Sequence, residues 1–427
     1  MKLKNKSLAI LSPLCLCLAA GSARAELEPF SFGASETLAH QSNLGHTDSS
    51  KLRSVSDWLS TTELSAGLNE PVGRDKLIGS AAVDFNRYKH SHALNSTGYQ
   101  AAAEFDWNTI GDLSGAFGAD SRRRQYFYGD TAEFSFGNAT PTTTLVKNLQ
   151  TDNHAFARIM LGGESRWAIF GGGDVNRRNF SNDTFRPNDE RQWSTNLGTR
   201  YSTSPDLSFG VTGNYVRGDY PQGSDTQTQS NFNSKSVSAT TKWQVSGNTR
   251  MDGSLGYTSY YSDAFGINGG TRHFANGSLN WVWTPPAHLS FTLLLKRSAD
   301  ADTPAMGSSQ VLGASSLNGT SINTIARLGS VYAFTPKTSL EGSAEYSEHK
   351  YEDLLTGRLD LDLKPITVSG STRTSRFFLT AHFKPTRTTD LSCGGGRETR
   401  HADASLQGQA ASYNDNYLQC VAAINFD

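Results

Sequence analysis

Side chains able to act on a solute stand at alternate positions of this chain. The acidic ones are Asp84, Glu104, Asp106, Asp120, Asp174, Asp252, Glu341 and Glu345. The basic ones are Arg122, Arg124, Arg158, Arg200, Lys242, Lys296, Arg327 and Arg376. Many are interleaved with apolar residues, as in Ala103-Glu104-Phe105-Asp106-Trp107. Lining a water-filled passage, such groups order water and solutes through their field; in a wet interior they can also simply satisfy one another. Both readings stand. The balance between the two sets argues against strong ion selectivity.

Other reactive residues lead nowhere catalytic. The ten histidines are scattered. His90 and His92 straddle one residue, and a metal site needs further ligands. Gly171-Gly172-Gly173 and Gly394-Gly395-Gly396 lack the following Lys-Ser/Thr pair of a phosphate loop and read as bulges or close approaches. Arg217-Gly218-Asp219 is too common a tripeptide to mark an adhesion site. No Gly-x-Ser-x-Gly elbow is present. No enzyme activity, metal or cofactor is expected. Cys393 and Cys420 fall on one face of the last hairpin. If that hairpin is symmetric about residues 406–407, they sit opposite each other and can form a cross-strand disulfide.

The elements that carry these residues have a period of two. Tyr99, Ala101, Ala103, Phe105 and Trp107 alternate with Gln100, Glu104, Asp106 and Asn108. Leu207, Phe209, Val211 and Tyr215 oppose Ser208, Thr212 and Asn214. Leu289, Phe291, Leu293 and Leu295 oppose Ser290, Thr292 and Lys296. Strands between two unlike environments read this way, and helices do not. Short turns such as Pro71-Val72-Gly73, Ser204-Pro205-Asp206 and Ser246-Gly247-Asn248 alternate with longer polar connections near 42–56, 125–150, 218–231, 298–320 and 349–371. That is the arrangement of an outer-membrane β-barrel, here with about 18 antiparallel strands, short periplasmic turns and long extracellular loops. Trp107, Tyr201, Trp243, Trp283, Phe334 and Phe383 each fall just before a short turn and would form an interfacial belt.

Composition agrees. At 36% hydrophobic residues and a mean hydropathy of −0.47, the chain cannot be a multi-helix membrane protein. Lys2, Lys4 and Lys6, the apolar run Leu8 to Ala20 and Ala23-Arg24-Ala25 describe a signal peptide over 1–25. Cys15 and Cys17 follow leucines, which disfavours lipid attachment. Residues 26–427 then form one barrel domain. With 39 basic against 40 acidic residues, nothing points to nucleic acid.

The order of several motifs resembles the EpsL-type outer-membrane β-barrel porins associated with exosortase and exopolysaccharide systems. They are Ser35-Glu36-Thr37-Leu38 with Ser42-Asn43-Leu44, Leu94-Asn95-Ser96-Thr97-Gly98-Tyr99, Leu113-Ser114-Gly115 with Asp120-Ser121-Arg122, and Leu197-Gly198-Thr199-Arg200-Tyr201 with Arg217-Gly218-Asp219-Tyr220. The resemblance spans nearly the whole mature chain and implies a channel that helps polymer leave the cell. It implies no functional residues. Asp427 after Phe426, and the two cysteines, depart from the group's pattern.

The resulting expectation is a porin-like channel in exopolysaccharide export. Its partners would be outer-membrane lipid, the barrel-assembly machinery, secreted polysaccharide and periplasmic export proteins. The alternatives are a general diffusion porin and a surface adhesin with ligand-binding loops.

Overall fold

The computed structural model describes residues 29–48, 54–126, 145, 147–221, 230–262, 270–286, 288–300, 320–359, 365–406 and 411–426. The first strands are β1 (Phe30–Gln41), β2 (Asp57–Val72), β3 (Asp75–Tyr88), β4 (Ser96–Asn108), β5 (Leu113–Gln125) and β6 (Leu149–Leu161). The middle six are β7 (Trp167–Phe180), β8 (Glu190–Ser204), β9 (Leu207–Tyr220), β10 (Ser230–Ser246), β11 (Thr249–Ser262) and β12 (Gly270–Trp283). The last are β13 (Leu289–Asp300), β14 (Thr320–Thr335), β15 (Thr338–Leu359), β16 (Pro365–Phe383), β17 (Thr389–Ala402) and β18 (Tyr413–Phe426).

Every strand pairs antiparallel with its sequence neighbours, and β1 pairs with both β2 and β18. The sheet is therefore a closed 18-stranded barrel without an open edge. The turns after β2, β8, β10 and β14 are two residues long between strand ends, and the chain enters and leaves on that same side. At about 4.8 Å per strand and a tilt near 40°, eighteen strands close into a cylinder about 35 Å across, measured backbone to backbone.

Register fixes which residues share a face. Phe105 faces Phe117, Trp167 faces Tyr201 and then Phe209, and Trp283 faces Phe291. These belong to a set that leaves large apolar side chains uncovered, with Leu197 67% and Leu255 72% exposed. A belt of such residues cannot line a hydrated lumen at tolerable cost, so it faces outward into an apolar medium. The opposite face is concave. Short helical turns tuck against it at the long-loop end: Leu406 packs over Gly370, and Leu94 joins Leu44 and Tyr88.

Among the aromatics expected near the short turns, Trp243, Phe334 and Phe383 are exposed on the outer face, Trp283 lies with them, and Tyr201 packs on Trp167 at 4.7 Å. On the outer face, Glu36 accepts hydrogen bonds from Ser60 Oγ (2.5 Å) and Thr62 Oγ1 (2.6 Å).

Two connections are shorter than the sequence suggests. Residues near 349–371 are mostly strand, since β15 runs to Leu359 and β16 starts at Pro365. Those near 218–231 likewise include the ends of β9 and β10. Beyond the apolar medium neither face of a strand needs to be apolar, so the period-two signal vanishes while the hydrogen-bond ladder continues. Much of the connections near 125–150 and 298–320, and residues 1–25, lie outside the described residues.

Cys393 and Cys420 are register partners on the outer face, 4.1 Å apart at Cα, and are joined as a disulfide. Thiol-specific labelling of denatured protein should therefore modify neither cysteine before reduction and both after it. Labelling of both without reductant would show the bond does not form.

Candidate functional site

The barrel interior is the candidate site. Every charged residue singled out from the alternating pattern lies on the inner face. Asp84 sits beside Glu63, Asp106 opposite Lys76, and Lys242 opposite Asp252. Arg122 lies opposite Asp152, Arg124 opposite Gln150, and Arg158 opposite Gly172. Arg200 donates to the Gly163 carbonyl at 2.9 Å. Lys296 faces Ser278 and Ile325, and Glu104 faces Ile78 and Gly118, none of them charged. Glu341 lies 3.6 Å from His382 Nε2.

Three of the selected residues begin a continuous chain of polar contacts across β14 to β18. Arg327 Nε donates to Glu345 Oε2 at 2.6 Å, and Arg376 Nη1 reaches Glu345 Oε1 at 3.4 Å. Arg376 also grips Glu398 with two donors, Nε at 2.6 Å and Nη2 at 3.3 Å. The fork of a guanidinium matches a carboxylate in this way, and such paired bonds are the strong ones. The Tyr413 hydroxyl donates to Glu398 Oε1 at 2.5 Å. His46, from the connection after β1, stacks on the Tyr413 ring at 4.4 Å. Beside it, Asp415 accepts from Gln41 Nε2 (2.7 Å), Ser42 Oγ (3.0 Å) and the Asn43 amide (2.8 Å). This chain holds the β1–β2 connection against the inside of the wall and also stitches the closure seam between β18 and β1.

A second group spans β5 to β8. His154 Nδ1 lies 2.8 Å from Asp120 Oδ1, and its Nε2 lies 3.8 Å from Asp174 Oδ1. Ser194 Oγ bonds to Asp174. Towards the long loops, Arg178 pairs with Asp152 (3.1 Å) and Glu190 (3.2 Å). In the loops themselves, hydrogen bonds from the Ser371 hydroxyl and amide hold the Asp403 carboxyl below the usual carboxylate range. Burial pushes Asp189 up, despite the hydrogen bond it accepts from the Phe180 amide.

Charges on the inner wall are segregated around the barrel. On β2 to β4 the inner face carries Glu63, Asp84, Glu104 and Asp106 against Lys76. On β10 to β14 it carries Lys242, Arg250, Arg272, Lys296 and Arg327 against Asp252. The middle strands of these sectors, β3 and β12, lie half-way round the closed sheet from each other. An acidic wall thus faces a basic wall across the interior.

Aromatic rings also lie on the inner face, draped over inward glycines of the next strand. Phe156 lies over Gly118, and Phe170 over Gly198. Phe378 and Tyr417 flank Gly396 from both sides, their centroids 5.2 Å apart. A Cβ at Gly396 would fall 2.6 Å from Phe378 Cδ2. Only glycine lets these rings lie along the wall. Tyr220, Phe232, Tyr260 and Phe274 pack together on four successive strands nearer the long loops. Tyr260 thus points inward.

Glu398, Tyr413, Asp415, His154 and His46 were not singled out from sequence. Around Glu398 both faces are polar, in Arg397-Glu398-Thr399-Arg400, so alternation gives no sign of which side points in. His46 lies in a connection, where periodicity says nothing.

No protein-family description matches this chain, and no curated protein does. Solved structures similar to it are barrels. The outer membrane protein OpdK of Pseudomonas aeruginosa is 12% identical, with 93% of this chain and 99% of that one covered and a TM-score of 0.48. The apoprotein form of the FrpB iron transporter of Neisseria meningitidis is 11% identical, with 87% of this chain covered and a TM-score of 0.49. This chain spans only 61% of FrpB's length. The siderophore receptor PirA of Pseudomonas aeruginosa is 10% identical, with 92% and 80% covered and a TM-score of 0.41. These likenesses are of fold alone. The chain is a closed 18-stranded antiparallel β-barrel of the outer-membrane type.

Proposed function

We propose that the protein is a passive, water-filled channel of the bacterial outer membrane that takes part in exopolysaccharide export. The observation that carries the channel reading is the acidic wall on β2 to β4 facing the basic wall on β10 to β14. A barrel of about 16–18 strands is too wide for side chains to fill. Charges fixed on opposite sides then set a field across the hydrated space, which orients dipolar solutes without strongly favouring either ion sign. In this arrangement the short turns face the periplasm and the long loops the exterior.

The polymer reading rests on the resemblance of the motif order to EpsL-type porins. The inner wall adds support of its own kind. Phe156, Phe170, Phe378 and Tyr417 lie along it over glycines and are half-buried rather than hidden. Flat rings of this sort suit the apolar faces of sugars, and the arginines beside them donate to hydroxyls; Arg158 lies 4.4 Å from the Phe156 centroid. Driving force would come from partners in the periplasm and inner membrane.

In planar bilayers the purified barrel should give stepwise conductance, and neutral oligosaccharides added to the bath should interrupt the current. A folded barrel that never conducts contradicts the channel. Conductance without sugar-induced interruption, together with unchanged polymer secretion from a deletion strain, would leave a general diffusion porin.

A further inference from the structure

Of the arginines that register places on the outer face, where a membrane barrel should expose apolar residues, four lie on β5 to β9. They are Arg123 on β5, Arg177 on β7, Arg191 on β8 and Arg217 on β9. Register puts them on the face of Phe117, Val175, Trp193 and Val211, all exposed. Arg123, Arg177 and Arg217 stand ten residues from the short-turn ends of their strands, counting from Leu113, Trp167 and Leu207, and Arg191 is the register partner of Arg177. Ten residues at about 3.3 Å each, tilted near 40°, climb about 25 Å, the height of the apolar band of such barrels. The arginines therefore share one level, at the outward membrane–water interface.

Their charge is poorly compensated. Arg177 and Arg191 are direct register partners, two like charges side by side. Among the described residues no carboxylate lies at salt-bridge distance from any of the four. Asp219 faces Arg191 in register, and Asp189 in the loop above acts on Arg177 from a distance. Arg177 Nε donates only to Asn179 Oδ1, at 3.1 Å, and the buried Arg123 Nε has no hydrogen-bond partner. By contrast, the outward Arg373 on β16 is paired with Glu348 at 3.2 Å.

Directly below this level the outer surface is hollow. Ala103, Ala119 and Ala155 are successive register partners on β4, β5 and β6, and Val175 and Trp193 continue the row. Small residues beside large ones leave a groove of about 780 Å³, whose lining includes Arg177 and Arg191. The lining exposes mainly carbon. An apolar trough that ends under unpaired guanidinium groups at the interface matches an acyl chain joined to a phosphate headgroup.

We propose that this face binds a phosphate-bearing lipid of the outward leaflet, with an acyl chain along the alanine row and phosphate oxygens on Arg177 and Arg191. Arg123 and Arg217 flank the headgroup and suit a lipid with more than one phosphate. The site rests on the membrane reading given above, but it lies on the wall opposite to the conducting face.

The test uses the full exported chain in mild detergent, with bis-phosphorylated lipid A as probe and its dephosphorylated form as control, read by native mass spectrometry. Wild-type protein should retain lipid A, and the Arg177→Gln/Arg191→Gln variant should retain it about tenfold less. The dephosphorylated lipid should bind both proteins alike. Ala119→Phe, which fills the trough and keeps the arginines, should weaken both lipids. Because neither arginine faces the interior, the double variant should conduct as wild type does. Equal retention of lipid A by conducting wild-type and double-variant barrels overturns the proposal alone. A chain that neither inserts nor conducts overturns the membrane reading beneath it.

Discussion

Replacing Glu398 by alanine should destabilise the barrel by about 3 kcal/mol, the low end of the cost of stripping one partner from a buried ion pair. Glu398 is 7% exposed. It accepts both forks of Arg376 and the Tyr413 hydroxyl. Its loss leaves the buried Tyr413 hydroxyl and the half-exposed Arg376 guanidinium without their acceptor, and burial is what makes an unmet donor costly. The low end applies because Arg376 keeps a longer contact to Glu345 at 3.4 Å, and because water from the interior can relieve part of the cost. Glu398→Gln keeps an acceptor oxygen for one of the donors and should lose about half as much. The quantity to measure is the denaturant midpoint for loss of the compact, heat-modifiable form in lipid vesicles. The double variant Glu398→Leu/Arg376→Leu should recover part of the loss, since an apolar pair leaves no charge stranded. A change under about 0.5 kcal/mol for Glu398→Ala would show that the contact chain from β14 to β18 does not hold the wall.

The fold was legible in the sequence because a membrane wall imposes its chemistry on every second residue. Leu207, Phe209 and Val211 alternate with Ser208, Gly210 and Thr212 regardless of what lies across the barrel. That local rule also put all the selected charges on the inner face, and the midpoint between Cys393 and Cys420 anticipated their register. Partnership was not legible. That Arg376 meets Glu398 depends on the β16–β17 register, and that His46 meets Tyr413 depends on a connection folding inward. Neither leaves a periodic trace. The opposed walls needed the closure, because only the pairing of β1 with β18 makes β3 and β12 diametric. The outward arginines were hidden for a different reason. Alternation was counted on apolar residues, and Arg123, Arg177, Arg191 and Arg217 break it on the lipid side, at the level where the membrane ends.

Closure turns the balance of charges into a test of mechanism, because sign and position can be varied separately. Glu63→Lys/Glu104→Lys makes the β2–β4 wall basic, so both walls then carry positive charge. Glu104 has no charged register partner, so its reversal creates no new repulsion along the sheet. The wall-averaged potential should rise by roughly RT per unit charge, about 0.6 kcal/mol, at an ionic strength of 0.1 M where screening acts over about 10 Å. Anions would become about threefold more abundant in the passage and cations about threefold less, and the permeability ratio should move nearly tenfold toward anions. Lys242→Glu/Lys296→Glu on the opposite wall should move it as far toward cations. Joining all four substitutions restores the overall balance while nearly removing the charge difference between the walls, and the ratio should return close to wild type. Zero-current potentials under a salt gradient read all three. At 1 M salt, where screening shortens to about 3 Å, each shift should shrink. If both double variants kept the wild-type potential, the charged walls would not face a conducting path. If the fourfold variant kept the shift of either double, the charges would act singly at a constriction rather than as opposed walls.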